Sequence, residues 1–380
     1  MSAIGNILPN VIQRLKQIRN KRTTHKTFFA TALAAFFSFQ GFIGLSQDSL
    51  QKLTFSGYAE VYYSYDSDQP NNHEKAGFLY NHKRHNEVNI NLAYLKAAYT
   101  DSMVRANVAL MAGNYAQYNL AAEPSLLQMI YQADVGIRLS RKKNIYLDAG
   151  VMPSHIGFES AVAADCWTPS RSLMAENSPY FETGAKLTAT NQRSTFFVSA
   201  LVLNGWQRIY RLPANNKPSF GLQLNYKPGA RLTLNYSNFI GSDKPDSVNA
   251  IRTFHNMYFI FEASKKFGII GCFDIGTDKT AGGQYDYWFT PALLLRLQTG
   301  EHSRLGLRGE YFGDKNQLLI STGTKHGFQT SGVSLNYDYF ITPSAMFRME
   351  AKWYNANDPL FKEGKDFNNY SGLATVSIKF

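Results

Sequence analysis

The chain has 380 residues, with 23 Tyr, 27 Phe, 4 Trp and 28 Gly, yet its mean hydropathy is negative. That length excludes one soluble core of ordinary size, and an aromatic-rich chain that is polar on average fits strands with one oily and one wet face. Six of the +11 net charges (Arg14, Lys16, Arg19, Lys21, Arg22, Lys26) lie before residue 46, where there is no Asp or Glu; the remaining +5 forms no compact basic stripe and excludes a nucleic-acid partner.

The first predicted element is a leader. Residues 1–26 are polar and cationic, and Phe28–Leu45 is apolar. Gly44 and Ser46 are small and occupy −3 and −1 of a cut before Gln47. Charged, apolar and small-residue segments in that order describe a secretory signal over residues 1–46. The rival reading, a retained helix, is interrupted by Thr31, Ser38 and Gln40 and has no second helix after it.

From residue 47 onward the period is 2, in segments of about 8–13 residues. The first strand, Leu53–Tyr65, sets Leu53, Phe55, Val61, Tyr63 and Tyr65 against Thr54, Ser56, Tyr58, Glu60 and Ser64. The second, near 88–99, carries Lys96 on the parity of Val88, Ile90 and Leu92, which implies a bulge or an interfacial position. The fourth puts Tyr131, Ala133, Val135, Ile137 and Leu139 outward and Gln132, Asp134 and Arg138 inward. The sixth sets Phe181, Ala185 and Leu187 against Glu182, Gly184 and Lys186. The twelfth, near 286–297, contains Pro291 and Arg296. Near the end Ala345, Phe347, Met349, Ala351 and Trp353 oppose Arg348, Glu350 and Lys352. The last strand alternates Gly372, Ala374, Val376, Ile378 and Phe380 with Leu373, Thr375, Ser377 and Lys379, a terminal signal that barrel-assembly machinery would read.

Connections alternate too. Short turns near 100–103, 140–144, 190–194, 227–230, 264–267, 299–303 and 341–344 trade places with long loops near 66–86, 114–129, 153–179, 205–218, 241–251, 277–286, 312–327 and 354–369. Short periplasmic turns and long external loops produce this rhythm. Tyr63, Tyr65, Tyr99, Tyr131, Tyr146, Tyr226, Trp288, Tyr311, Tyr337, Tyr339, Trp353 and Tyr370 fall near strand ends, as two interfacial girdles require. The expected fold is all-β: a transmembrane antiparallel up-and-down barrel over residues 47–380 with about 16 strands (roughly 12–18) and both termini periplasmic. A soluble tandem sandwich also alternates, but needs neither the connection rhythm nor the girdles.

About 16 strands leave an aqueous lumen. The inward positions suit one: Arg105, Asp134, Arg138, Asp148, Glu182, Lys186, Arg304, Arg308, Glu310, Arg348, Glu350 and Lys352 are the candidate pore-lining residues. The longest loop, 153–179, is the candidate constriction, with Glu159, Asp165, Arg171 and Glu176 facing a basic wall of Arg138, Arg304, Arg308 and Arg348. The expected partners are outer-membrane lipid and lipopolysaccharide, small hydrophilic solutes or ions, the assembly machinery through Phe380, and further copies of the chain; no cofactor and no metal are expected.

The segments Met152–Glu159, Cys166-Trp167, Ala175–Tyr180, Leu203–Gln207 and Phe239–Asp246 resemble the OmpL-like family of outer-membrane β-barrel porins, common in Bacteroidota. The resemblance runs from about Gly57 to Phe380 and implies a barrel and a pore; it supplies no substrate and no catalytic residues. Two other classes of barrel protein compete with a pore. A barrel enzyme needs a nucleophile motif, and Gly-x-Ser-x-Gly is absent. A surface adhesin or receptor would use loops 66–86 and 312–327. His73, His82 and His85 with Asp66, Asp68, Glu74 and Glu87 read as a solvated loop before they read as a metal site, and Cys166 and Cys272 as unrelated thiols.

Overall fold

Alternating residues can bury one face and expose the other only if the strands find partners, and every backbone group finds one only if the sheet closes. The computed structural model describes residues 52–380, so the expected leader lies outside the described residues. Sixteen strands form one closed barrel, each antiparallel to its sequence neighbours. They are β1 (Leu53–Asp66), β2 (Val88–Thr100), β3 (Val104–Ala112), β4 (Ile130–Arg138), β5 (Asn144–Pro153), β6 (Phe181–Thr190), β7 (Phe196–Leu203), β8 (Ser219–Gly229), β9 (Leu232–Gly241), β10 (Arg252–Glu262), β11 (Phe267–Lys279), β12 (Tyr285–Gln298), β13 (Ser303–Asp314), β14 (Phe328–Thr342), β15 (Ala345–Ala356) and β16 (Asn368–Lys379). The last strand returns to the first, from Tyr58 opposite Lys379 to Asp66 opposite Ser371. Phe380 completes the closure by exchanging two backbone hydrogen bonds with Gly57, at 2.7 and 3.0 Å.

The connection rhythm is that of the sequence, with one difference. The β11–β12 connection is only 280–284, because both strands run past the expected boundary and pair up to Lys279 opposite Tyr285. On β1 the inward Tyr58, Glu60, Tyr62, Ser64 and Asp66 are buried, while Val61, Tyr63 and Tyr65 stand exposed outside. On β14 Val333, Leu335, Tyr337 and Tyr339 are exposed, and the alternate Ser334, Asn336 and Asp338 are buried. Repeated around the wall, this makes an outer apolar belt far larger than the patches a soluble monomer shows.

The alternation slips along a line of irregularities crossing β2 to β6. Asn91 and Leu92 are both buried, so from there on Lys96 points into the lumen, where its Nζ donates to Gln132 Oε1 at 2.8 Å. On β3–β4 the register shifts between Ala109 and Leu110, which face Gln132 and Ile130 and leave Tyr131 without an opposite number. The line continues through Gly150, opposite Asp134 and Gly184. Gly150 has φ +137°, and a Cβ there would run into the Ala133 carbonyl, so only glycine fits.

Several expected orientations are corrected, those of Tyr131 and Phe181 by these slips. Tyr131 stacks inside on Tyr94, with ring centroids 4.6 Å apart. Phe181 is buried with Ala161 and Val162 of the long loop. Tyr146 lies beneath the Arg105 guanidinium, 4.0 Å from the ring centre. Trp288, also assigned to a girdle, is fully buried against Phe254 on the inner face of β12. Of the other expected girdle residues, Tyr63, Tyr65, Tyr99, Tyr226, Tyr337, Tyr339, Trp353 and Tyr370 are exposed and Tyr311 is half-buried. On β12, Pro291 lacks an N–H, and the β12–β13 pairing skips from Phe289 to Ala292.

Candidate functional site: a loop folded into the lumen

The β5–β6 connection, residues 154–180, folds into the barrel and hydrogen-bonds to side chains of β6, β10, β13, β14, β15 and β16. Its entry is held by His155. One ring nitrogen lies 2.8 Å from Glu182 Oε2 and the other 2.7 Å from the Asn238 carbonyl on β9. Both partners are acceptors, so both nitrogens donate and the ring is an imidazolium. Burial works against that charge, but the Glu182 carboxylate outweighs it and raises the His155 pKa above the ordinary imidazole value. Two residues on, the Gly157 N–H donates to Asn256 Oδ1 on β10 at 3.2 Å.

The middle of the loop is tied to itself by Arg171, which is fully buried and donates to the carbonyls of Ser160, Pro169 and Ala161 at 2.6, 2.8 and 2.9 Å. Ser172 then caps a single helical turn, α1 (Leu173–Glu176), by accepting from the Ala175 N–H. Glu159 accepts from the Ser172 N–H and hydroxyl; burial pushes its carboxyl up, against the pull of Arg308 3.7 Å away. At the far end, Glu176 Oε2 accepts from Tyr80 N, Asn81 N and Asn81 Nδ2, docking the first long loop onto α1.

The wall that receives the loop is β13–β15. Arg308 donates to Thr168 Oγ1, the Ser170 carbonyl and Ser170 Oγ at 2.8–3.0 Å. Arg348 donates to the Ala163 and Trp167 carbonyls at 2.8 and 2.9 Å, and is clamped by Asp338. Lys352 Nζ donates to the Arg171 carbonyl at 3.2 Å. Glu350 accepts from Ser170 N at 3.2 Å, and Glu310 from Leu173 N at 2.6 Å. Thus four buried cations (Arg171, Arg308, Arg348, Lys352) lie among the buried carboxylates Glu159, Glu310, Asp338 and Glu350. Such a cluster persists in a dry place only when its members are paired and bonded. On the β10–β12 side the contact is apolar: Met174 packs with Ile270, Cys272, Ala292 and Leu294.

The expected basic wall therefore divides. Arg308 and Arg348 lie beneath the loop and hold its backbone carbonyls. Arg304 and Arg138 sit by the short turns, bonded to Gln298 Oε1 (2.6 Å) and Asn144 Oδ1 (2.9 Å). Of the loop acids, Glu159 and Glu176 hold the loop's own backbone and its neighbour's, and only Asp165 is exposed, 2.7 Å from Lys379. Elsewhere Arg105 makes a two-pronged pair with the buried Asp148 (2.6 and 2.5 Å), and Asp134 accepts from Asn107 and Gln132. Half-exposed Lys186 stands opposite Asp148 in the register with no ion pair among the described residues. Asp338 is not among the expected lining residues, and Arg296 stands out in the sequence only as an irregularity of the twelfth strand, although both share the inward parity of their strands. Arg296 pairs with Glu262 at 2.7 Å and covers the Trp167 ring at 4.1 Å.

The first-loop histidines go to separate tasks. His82 bonds Glu60 at 3.1 Å, and His85 Nδ1 accepts from Asp66 N at 2.9 Å. Cys166 and Cys272 are both buried and free.

Comparison with known proteins agrees with this architecture. The solved structures that resemble it include OmpF of Salmonella typhi in complex with daunomycin, with a TM-score of 0.59, 9% identity and coverage of 86% of this chain and 97% of that one. They also include an anion-selective porin from Comamonas acidovorans (0.57, 8%, 86% and 99%) and the channel DcaP of Acinetobacter baumannii (0.57, 10%, 86% and 97%). At these identities the likeness is one of fold. No curated protein sequence matches the chain. The family described as "Putative beta-barrel porin-2, OmpL-like" matches residues 52–380, the whole described barrel, and the chain belongs to that family of outer-membrane porins.

Proposed function

We propose that the barrel passes small hydrophilic solutes by passive diffusion, with a preference for anions, through the part of the lumen that the 154–180 loop leaves uncovered. The observation that carries this is the balance of accessible charge on the inner wall. Lys96, Arg105, Arg138, Lys186, Arg296 and Arg304 are all half-exposed, whereas Asp134 and Asp148 are buried, and the accessible acids are Glu262, paired with Arg296, and Asp165 on the loop, paired with Lys379. Fixed cations along a narrow wet passage concentrate anions and repel cations. In this reading the loop is the constriction, the long connections face the outside and both termini the periplasm, after removal of the leader over residues 1–46. The protein then sits in the outer membrane of a Gram-negative bacterium among lipid and lipopolysaccharide, alone or as a homo-oligomer. The assembly machinery recognises the final strand, and Phe380 serves as its last rung. No catalytic step is assigned to the chain.

Reversal potentials across a planar bilayer in a salt gradient test the reading. The wild-type chain should favour chloride over potassium, and Arg105→Glu with Lys186→Glu should lower or invert that preference. A cation-selective wild type, or a double variant with unchanged selectivity, would refute it.

A further inference from the structure

A cavity of about 400 Å³ opens among the long loops, between residues 118–122, the end of α1 and residues 206–208. That volume is in the range of small-ligand sites. We infer that it is a binding site for a small carboxylate with an apolar or aromatic body, held by Arg208 and Asn119. This rests on the pore reading above and names a solute class for it.

Two donors are left over here. Asn119 is more than nine-tenths buried and its Nδ2 has no partner; Arg208 Nε is buried and also has none. No ion pair or hydrogen bond engages the Arg208 guanidinium among the described residues. Unsatisfied buried donors are costly unless something supplies acceptors. The acids lining the cavity are directed to other donors, although the Arg208 charge reaches Asp243. Glu176 accepts three N–H groups, and Asp243 accepts from Trp206 N at 3.0 Å and faces Arg252 at 3.5 Å. Acceptor oxygens are what these two donors can take, and a guanidinium matches the two oxygens of a carboxylate. Tyr80, Tyr118, Trp206, Leu318 and Leu319 give the cavity an apolar side that suits an apolar body, beside the polar Asn177, Ser178, Gln207 and Arg252.

The placement is built. Gln207 takes φ +54°, rare for a residue with a side chain, and is fixed on both sides. Its Nε2 donates to the Asn119 carbonyl at 3.1 Å, while Ile209 N and Tyr210 N donate to the two oxygens of Glu123 at 2.9 and 3.1 Å. Arg208, between them, is held over residues 119–123.

Calorimetry on the full barrel in detergent tests this, with benzoate as probe and benzamide and inorganic phosphate as comparisons. Gel mobility before and after heating verifies that each variant is folded. Benzoate should bind saturably, benzamide about tenfold more weakly or not at all, and Arg208→Gln and Asn119→Leu should each weaken benzoate by about tenfold or more. Absent benzoate binding, equal binding of benzamide, tighter binding of phosphate, or a folded Arg208→Gln barrel with wild-type affinity would each overturn the inference. Bilayer conductance of the wild-type chain is read separately. Conductance without benzoate binding removes this site and leaves the pore, and Arg208-dependent binding without conductance removes the pore and leaves the site.

Discussion

Replacing Arg308 by methionine should loosen the inserted loop. The guanidinium makes three hydrogen bonds to Thr168 and Ser170 and lies 3.3, 3.4 and 3.7 Å from the carboxylates of Glu310, Glu350 and Glu159. Methionine preserves much of the volume but removes every one of those contacts and leaves buried carboxylates without their cation. Removing one partner of a buried charged network costs about 3–5 kcal/mol. Much of that cost falls on the closed position of the loop, because an open loop lets water reach the carboxylates. At about 1.4 kcal/mol per factor of ten, the population with the loop displaced rises by about a hundredfold to a few thousandfold. Single-channel recording should show larger or noisier open levels for Arg308→Met, with Glu350→Gln in the same chain restoring part of the quiet state, since one orphaned charge is then gone. A variant with wild-type conductance, wild-type noise and wild-type thermal stability would refute the claim that Arg308 anchors the loop.

Three other perturbations follow from the same structure. The folded-state pKa of His155 is raised, so its contribution is fully present below the ordinary imidazole value of about 6.5 and is lost as the pH climbs through the folded-state value; channel noise should therefore grow from mildly acidic to basic pH, and the pH dependence should disappear in His155→Gln. Gly150→Ala should cost about 1–3 kcal/mol in urea unfolding from lipid vesicles, whereas Gly309→Ala, where a Cβ meets open space, should cost little. Leu335→Arg, on the exposed outer face of β14, should cost about 2–4 kcal/mol in the same assay, provided that position lies near the bilayer midplane; an unchanged value would argue against a lipid-facing wall there.

Strand number, order and connection rhythm were legible because period-2 alternation is a local property, and closure follows from it. The errors cluster where a non-local feature shifts the phase. Tyr131 and Phe181 turn inward beyond the line of slips through Asn91, Tyr131 and Gly150, and no single strand shows that these irregularities fall side by side. Trp288 was misassigned for another reason. At Trp288 the inner face is apolar too, because Ile156 and Leu173 of the loop join the same buried cluster inside the barrel. The inward charges were found by parity, but their use was not. Arg308 and Arg105 read alike in sequence; only the fold shows one beneath the loop with no exposed surface and the other half-exposed beside Asp148. Arg208 and Asn119 left no sequence signal beyond lying in loops, since their significance is the absence of partners.

The central claim is a water-filled passage beside a charge-anchored loop. The most direct test is planar-bilayer recording from the purified chain, folded in detergent and free of other porins. A wet passage gives discrete, stable, ohmic conductance steps. A correctly folded barrel that produces no steps at any voltage would contradict the claim and show the lumen to be sealed by its own loops.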